Sequence, residues 1–567
     1  QYDNVSNFAF HGSKSYVSQY ISETYPNIQW DRSKLIIYTL DIEVASDEGF
    51  PDIRSANSPI TSLTIHNSVT DIYYVFGTGE YTPNDPEKTI KYFLCDNEEE
   101  MMQLFLDWWK DNPPHIITGW NCKFFDMPYI INRLMYLGLN QKLLSPINKV
   151  FEKNVVIAGR ENQYYGIIGV SILDYIDLYK KYTYKNRESY RLDYIGQVEL
   201  GMGKITDDAV AGYNLYKTDY QKFIEYNIKD VEIVKKLADK MKLLDLIITI
   251  AYESQVNFED VFSPVKTWEC IIYNFLKDQN IATPNKRNRG DSQSIEGGYV
   301  KEPHIGLHKW VVSFDLNSLY PHLIQQYNIS PETISHDEVL QIKYKDGVNG
   351  LLNQSFDTDY LKEMNMTLTP NGQHFTNEFQ GFLPKLMKTM YDDRVTYKKK
   401  MLAEEQRLED GNYKSKQEVV NNISKYNNAQ MAKKILLNSA YGALANQYFL
   451  YYSPEQAEAV TMSGQLSIRW IEKDINKFIN DLLKTGDTDY VIASDTDSVY
   501  ITFDKLVNEV WGEGADTEKV ITFLDKMCKD KIEPHIDESY KDLHAYVNSY
   551  EQKMVMKRES IADKGIW

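Results

Sequence analysis

At 567 residues, 43% of them hydrophobic and 25% charged, the chain has the composition of a globular protein with room for about four domains. Its net charge of −19, from 62 basic against 81 acidic residues, excludes a surface that is basic throughout, so any phosphate-tracking surface must be local. Cys95, Cys122, Cys270 and Cys528 lie far apart in no zinc spacing, which fits a reduced, intracellular protein. The longest apolar stretch, Leu243 to Tyr252, is too short to span a bilayer, and the polar N-terminus has no signal-peptide core.

A short amphipathic helix is expected around Ser15 to Ile21. A strand follows over Leu35 to Val44, whose period of two places Asp41 and Glu43 on one face. Both interrupt an apolar strand, where an unpaired carboxylate is costly. Further strands are expected over Ile60 to Ile65 and Ile72 to Phe76, then a helix over Glu99 to Trp109. The strand His115 to Thr118 leads into Phe124-Phe-Asp126, and Asp126 opens a helix with Pro128 near its start. A later helix, Thr218 to Met241, sets Tyr226 and Asp230 at i and i+4 on one face. Four carboxylates so placed, Asp41, Glu43, Asp126 and Asp230, can hold two metals about 4 Å apart, with Tyr226 able to orient a water.

Residues 242–290 read as a mixed linker ending in the polar run Asn285 to Asp291. Gly297-Gly298-Tyr299-Val300 opens a new unit, its glycines allowing close backbone approach to a strand or ligand. The strand His308 to Phe314 ends in Asp315, and Leu316 to Pro321 turns into a helix reaching about Tyr327. Two long helices follow, Leu383 to Leu408 and Gln417 to Ala443, joined by a turn at Asp410-Gly-Asn412. The first carries Met387, Tyr391, Arg394 and Lys398 on one stripe, the second Lys434, Asn438 and Tyr441. Faces of this kind suit a triphosphate clamp with a stacking platform, or simply an exposed, salt-bridged hairpin.

The stretch Asp489 to Phe503 reads as two antiparallel strands with Asp495 and Asp497 lifted at the bend. Two carboxylates held rigidly there can share a hard divalent cation, although an isolated Asp-x-Asp is more often a plain acidic turn. Asp315, at a matching strand end, supplies the missing partner and points to metal-assisted phosphoryl transfer.

With these residues assembled, the chain resembles the family B DNA polymerases, and most closely the replicative polymerases of T-even-like bacteriophages. Six motifs stand in the family's order: Asp41-Ile-Glu43, the stretch Asn121 to Asp126, and Tyr226-x-x-x-Asp230 for the exonuclease, then Asp315-Leu-Asn-Ser-Leu-Tyr-Pro321, Lys434-x-x-x-Asn-Ser-x-Tyr-Gly442 and Asp495-Thr-Asp-Ser498 for the polymerase. The resemblance implies an α/β and α+β multidomain fold: an RNase H-like 3′→5′ exonuclease domain, a palm with an antiparallel sheet and helices, and helical-hairpin fingers. It implies that Asp315 and Asp495 bind two Mg²⁺ ions, for which Mn²⁺ can substitute, with Asp497 an accessory carboxylate, and Leu316 and Glu559 near the same metals. Arg394, Lys398 and Lys434 would hold the phosphates. Leu316, Asn317, Ser318 and Leu319 would line the nucleotide, Asn438 and Tyr441 would flank the nascent base pair, and Tyr320 would exclude a 2′-hydroxyl. Asp41, Glu43, Asp126 and Asp230 would perform proofreading with their own metal pair, assisted by Tyr226. Two departures are expected to tune rather than abolish activity: Ala493-Ser494 replaces the usual Tyr-Gly, and His322 the usual Ser.

The resemblance divides the chain into an N-terminal domain remnant (1–30), exonuclease (31–240), an N-terminal-domain or linker segment (241–290), palm (291–380), fingers (381–450) and a second palm segment (451–567), with no thumb. The expectation is therefore a fragment, or one half of a split polymerase completed by a second chain. Primer-template DNA and deoxynucleoside triphosphates are the expected substrates. A sliding clamp and replisome proteins are expected partners, in the cytoplasm of an infected bacterium. The alternative is a 3′→5′ exonuclease whose polymerase half needs a thumb from another chain.

Overall fold

The first three strands are mostly buried and build the centre of the N-terminal unit. In a computed structural model that describes residues 16–45, 49–157, 159–203, 215–284, 294–337, 347–512, 514 and 516–567, β1 (Ile37–Val44) pairs antiparallel with β2 (Ile60–Asn67), which pairs with β3 (Ile72–Gly77). With β4 (Thr89–Leu94), β5 (Ile116–Thr118) and β8 (Ser171–Ile172) they form a six-stranded mixed sheet in the order β4-β3-β2-β1-β5-β8. The ribbon β6 (Val150–Ile157) and β7 (Arg160–Ile167) pairs only with itself. The expected N-terminal helix is α1 (Tyr16–Thr24).

Alternation along β1 assigns its two faces. Tyr38, Leu40 and Ile42 pack into one core with Met101, Phe105 and Trp109 of α2 (Glu98–Asp111) and Met127 and Ile130 of α3 (Asp126–Tyr136). The opposite face carries Asp41 and Glu43. There α5 (Tyr220–Met241) packs Phe223, Ile224, Ile228 and Val231 against Tyr73 and Val75 of β3. The short helix α4 (Tyr175–Tyr182) lies between α3 and α5 in sequence. Two helices, α6 (Leu243–Ser254) and α7 (Pro264–Lys277), occupy most of the segment read as a linker, and the chain divides into two compact units at Ser263/Pro264. The run Asn285 to Asp291 lies outside the described residues.

The second unit is built on a five-stranded sheet ordered β15-β10-β14-β13-β9, made of β9 (Val300–Lys301), β10 (Leu307–Leu316), β13 (Val491–Asp495), β14 (Ser498–Thr502) and β15 (Met556–Ile566). Its pairings are antiparallel. Helices α11 (Pro454–Leu483) and α12 (Glu533–Tyr546) pack with it, α8 (Leu319–Gln326) packs on α11, and a small ribbon joins β11 (Met366–Leu368) to β12 (His374–Thr376). The expected helical hairpin is α9 (Phe382–Glu409) and α10 (Lys416–Leu444). Met387 on its stripe is buried, Tyr391 and Arg394 are half-buried and Lys398 is exposed, so the stripe leaves the core toward the tip. No helix among the described residues is long and apolar enough to cross a membrane.

His374 gives this unit a pH dependence. It is 1% exposed, donates from Nδ1 to the Gly372 carbonyl at 3.1 Å, and accepts at Nε2 from the Tyr360 hydroxyl at 2.7 Å. Burial, partly opposed by Gly372 and Asp337, pushes it down to about 4. The unfolded chain therefore takes up its proton first, and stability falls as the pH drops from about 6.5 toward 4, by up to about 3 kcal/mol. Urea titrations across that interval should show the loss, and His374→Gln should flatten it.

Candidate active sites

In the first unit, pairing explains where the acids meet. β5 pairs with β1 only over Ile37 to Thr39, so the edge of β1 beyond Thr39 has no strand partner there. The N-terminus of α3 fills that place: Asp126 Oδ1 accepts the Ile42 amide at 3.1 Å, which sets this carboxylate between Asp41 and Glu43 along the strand. One turn of α5 supplies Asp230, and carboxylate oxygens of Asp41, Glu43 and Asp230 lie within 4.8 Å of one another. Tyr226 is on the same helix, one turn before Asp230. Burial, reinforced by the charges of Asp174 and Asp230 against the Ile42 amide, pushes Asp126 up to about 7.

Two supporting residues escaped the sequence. Asn227, fully buried, accepts the hydroxyls of Ser62 and Thr64 at Oδ1, the former at 2.9 Å, and donates from Nδ2 to Asp41 Oδ2 at 2.7 Å. Ser62 and Thr64 are the cross-strand partners of Glu43 and Asp41, so sheet register alone brings them to this face. The two hydroxyls fix which end of the amide meets Asp41. Asn227→Ala should therefore cost excision about 10–100-fold, read as a raised half-saturating Mg²⁺ concentration in a nuclease assay. Asp174, capping α4, accepts the Asn121, Lys123 and Ile176 amides at 3.0, 2.9 and 3.2 Å and so moulds the turn leading to Asp126. Burial pushes it, too, up to about 7. A third feature is Phe50, 84% exposed with its ring 5.5 Å from Phe125. An exposed aromatic on an aromatic support is a stacking surface, and its signal was an apolar residue in a polar loop just after the first acidic pair.

In the second unit, β13 and β14 form a tight hairpin in which Asp495 faces Ser498 and Thr496 and Asp497 make the turn, with Thr496 at φ 44°. Asp315 on β10 pairs with that same Ser498. The Leu316 amide donates to the Asp497 carbonyl at 2.8 Å, the Asn317 amide to the Val555 carbonyl at 3.1 Å, and the Thr496 amide to the Tyr299 carbonyl at 2.9 Å. Burial and then the charges of Asp497 and Glu559 push Asp315 up to about 6. Asp497 is itself raised by burial, Asp495 and Glu559.

The two acids of this turn differ in exposure and in neighbours. Asp497 is the half-buried carboxylate that feels Asp315, whereas Asp495 is exposed and accepts the Thr496 hydroxyl at 3.0 Å. A strand's alternation does not carry through a turn whose first residue is left-handed. Glu559 sits where β15 shifts register against β10, and its charge reaches Asp315 and Asp497.

Around this centre, Arg394 Nη1 donates to Ser318 Oγ at 3.2 Å while its buried Nε has no hydrogen-bond partner among the described residues. Lys398, Lys434 and Asn438 are exposed, whereas the neighbouring Lys433 is buried in an ion pair with Asp393 at 3.1 Å. The rings of Tyr320 and Tyr441 meet at 4.9 Å. His322 donates from Nδ1 to the Asn317 carbonyl at 2.6 Å and packs edge-on to Tyr391, so it supports the motif from behind. Ala493 and Ser494 are both buried. A β-carbon at Gly298 would meet Thr496 Oγ1 at 3.0 Å and the Tyr320 hydroxyl at 3.3 Å, tighter than ordinary contact, while Gly297 has open space.

Residues 263–543 match the DNA polymerase family B model, and residues 4–195 match its exonuclease-domain model. A DNA-directed DNA polymerase of Escherichia phage RB69 is 33% identical across 97% of this chain, and one of Enterobacteria phage T4 is 34% identical across 97%; the match spans 67% of each relative. The DNA polymerase delta catalytic subunit of Candida albicans is 26% identical over 84% of the chain and 45% of its own length. The chain belongs to the family B DNA polymerases. It is a DNA-directed DNA polymerase with an exonuclease domain, and divalent-metal chemistry accompanies both.

Proposed function

We propose that the second unit extends a primer 3′-end with deoxynucleotides and that the first removes mispaired ends in the 3′→5′ direction. The observation that carries the reading is the convergence of Asp315, Asp497 and Glu559, with Arg394 reaching Ser318 of the same motif as Asp315. Carboxylates crowded and buried enough to raise Asp315 to about 6 are a donor set that divalent cations neutralise.

Asp315 and Asp497 would hold Mg²⁺ with Glu559 and Asp495 alongside, and the Leu316 carbonyl is a further candidate ligand. Asp41, Glu43, Asp126 and Asp230 form the second set. The bound ions would activate the attacking oxygen and stabilise charge on the leaving one. The chain's own groups do the rest. The orphaned Nε and the remaining donors of Arg394 bind triphosphate oxygens, and Lys398 and Lys434 neutralise charge as pyrophosphate leaves. The backbone from Leu316 to Leu319 lines the phosphates, Asn438 and Tyr441 bound the nascent pair, and Tyr320 packs under the sugar. In the nuclease, Phe50 stacks on the terminal base and Tyr226 orients the attacking water.

Within this reading the hairpin 381–450 is the fingers, and 291–380 with 451–567 the palm. A sliding clamp, other replication proteins and a second polymerase chain are proposed partners, and the cytoplasm of an infected bacterium the proposed setting. The test is extension of a labelled primer on a template with Mg²⁺. Templated products with deoxynucleotides present, and shortening of the primer without them, are expected. Shortening alone, unchanged by added candidate partner chains, would favour a nuclease-only role.

A further inference from the structure

Tyr320 is held from more than one side, and the sides differ. Tyr441 lies against it at 4.9 Å, with the ring planes 52° apart. Gly464 lies inside the thirty-residue helix α11, where glycine is destabilising relative to alanine because it gives up more backbone freedom on folding. Packing does not demand that glycine. A β-carbon at Gly464 would stand 3.4 Å from Tyr320 Cε1, 3.5 Å from Leu319 Cδ2 and 3.6 Å from Leu323 Cδ1, all ordinary contact distances. A β-carbon at Gly298 would come to 3.0 Å from Thr496 Oγ1, tighter than ordinary contact; at Gly464 nothing would be that close.

Gly464 therefore keeps a methyl-sized gap next to the Tyr320 ring. Because Leu319 and Leu323 are buried core side chains, the gap lies on the core side of the ring. Close-packed interiors leave few such gaps, and a lining atom without a partner loses its dispersion contacts outright. A helix that accepts both the glycine and the gap holds space for movement.

We propose that Gly464 is a specificity-determining position for the sugar: the gap lets Tyr320 yield toward the core, and its size sets how firmly a ribonucleotide is refused. This rests on the reading of Tyr320 as the group beneath the sugar. A ring free to recoil by a fraction of an ångström meets a 2′-hydroxyl softly. A ring backed by a methyl group meets it rigidly. Steric discrimination by about one methyl group corresponds to about tenfold in relative rate.

The experiment compares Gly464→Ala with the parent in the full polymerase, supplied with any partner chain that synthesis needs, by measuring incorporation efficiency for a ribonucleotide and its matching deoxynucleotide. The ribo-to-deoxy ratio should fall about tenfold, deoxynucleotide incorporation should stay within about twofold, and the melting temperature should hold or rise as alanine strengthens the helix. An unchanged or raised ratio overturns the proposal. So does a fall in melting temperature, because it shows that no methyl-sized gap exists. Tyr320→Ala separates the two ideas. If it relaxes discrimination while Gly464→Ala is silent, the inference alone fails; if it leaves discrimination intact, the sugar-gate reading fails and takes the inference with it.

Discussion

Asp497→Ala should lower nucleotide incorporation by at least about 10³-fold, as should Asp315→Ala, while Asp495→Ala should cost about tenfold or less. The basis is which carboxylates share an environment. Asp315 is raised to about 6 by burial and by the charges of Asp497 and Glu559. Asp497 occupies the turn whose carbonyl the Leu316 amide holds at 2.8 Å, so main chain fixes the spacing of these two acids. Asp495 faces solvent and takes the Thr496 hydroxyl at 3.0 Å. Single-turnover addition of one nucleotide to an annealed primer reads the effect. An inactive Asp495→Ala beside an active Asp497→Ala would restore the ranking that the sequence pattern favoured.

In the other unit, Asp41→Ala or Asp126→Ala should reduce excision of a labelled single strand by about 10³-fold while incorporation changes by less than about twofold. Asp126 is the more telling of the two. It lies at the start of a helix, buried, with its Oδ1 on the Ile42 amide and its acid strength displaced to about 7. Asp126→Asn keeps the geometry of that hydrogen bond and removes the charge. If excision survives Asp126→Asn, the residue serves β1 and not the chemistry. A parallel loss of synthesis in either variant would show that the two activities are not separable by these substitutions.

Much of both centres was legible because strands and helices have fixed periods. Alternation put Asp41 and Glu43 on one face of β1, and helical spacing put Tyr226 and Asp230 one turn apart on α5; both arrangements stand. What lay beyond reach depended on register between distant segments. Asn227 matters because Ser62 and Thr64 oppose Glu43 and Asp41 across two strands, a pairing that no local pattern encodes. The differing exposure of Asp495 and Asp497 lay beyond reach for a related reason: period two describes a strand, and these residues straddle a turn with a left-handed Thr496. Within residues 242–290 the polar end obscured the helices: α6 and α7 bury Ile247, Ile248, Trp268 and Ile272 fully or nearly so.

Three hydrogen bonds that fasten the polymerase centre run from the Leu316, Asn317 and Thr496 amides to the carbonyls of Asp497, Val555 and Tyr299, and all three are main chain to main chain. Four separate stretches of sequence are thus riveted together by atoms that a point substitution leaves in place, Pro excepted. In evolutionary terms, the scaffold and the chemistry are written in different alphabets. A lineage can alter or lose an acidic side chain here while the frame that presented it persists, and a later reversion finds its neighbours still in position.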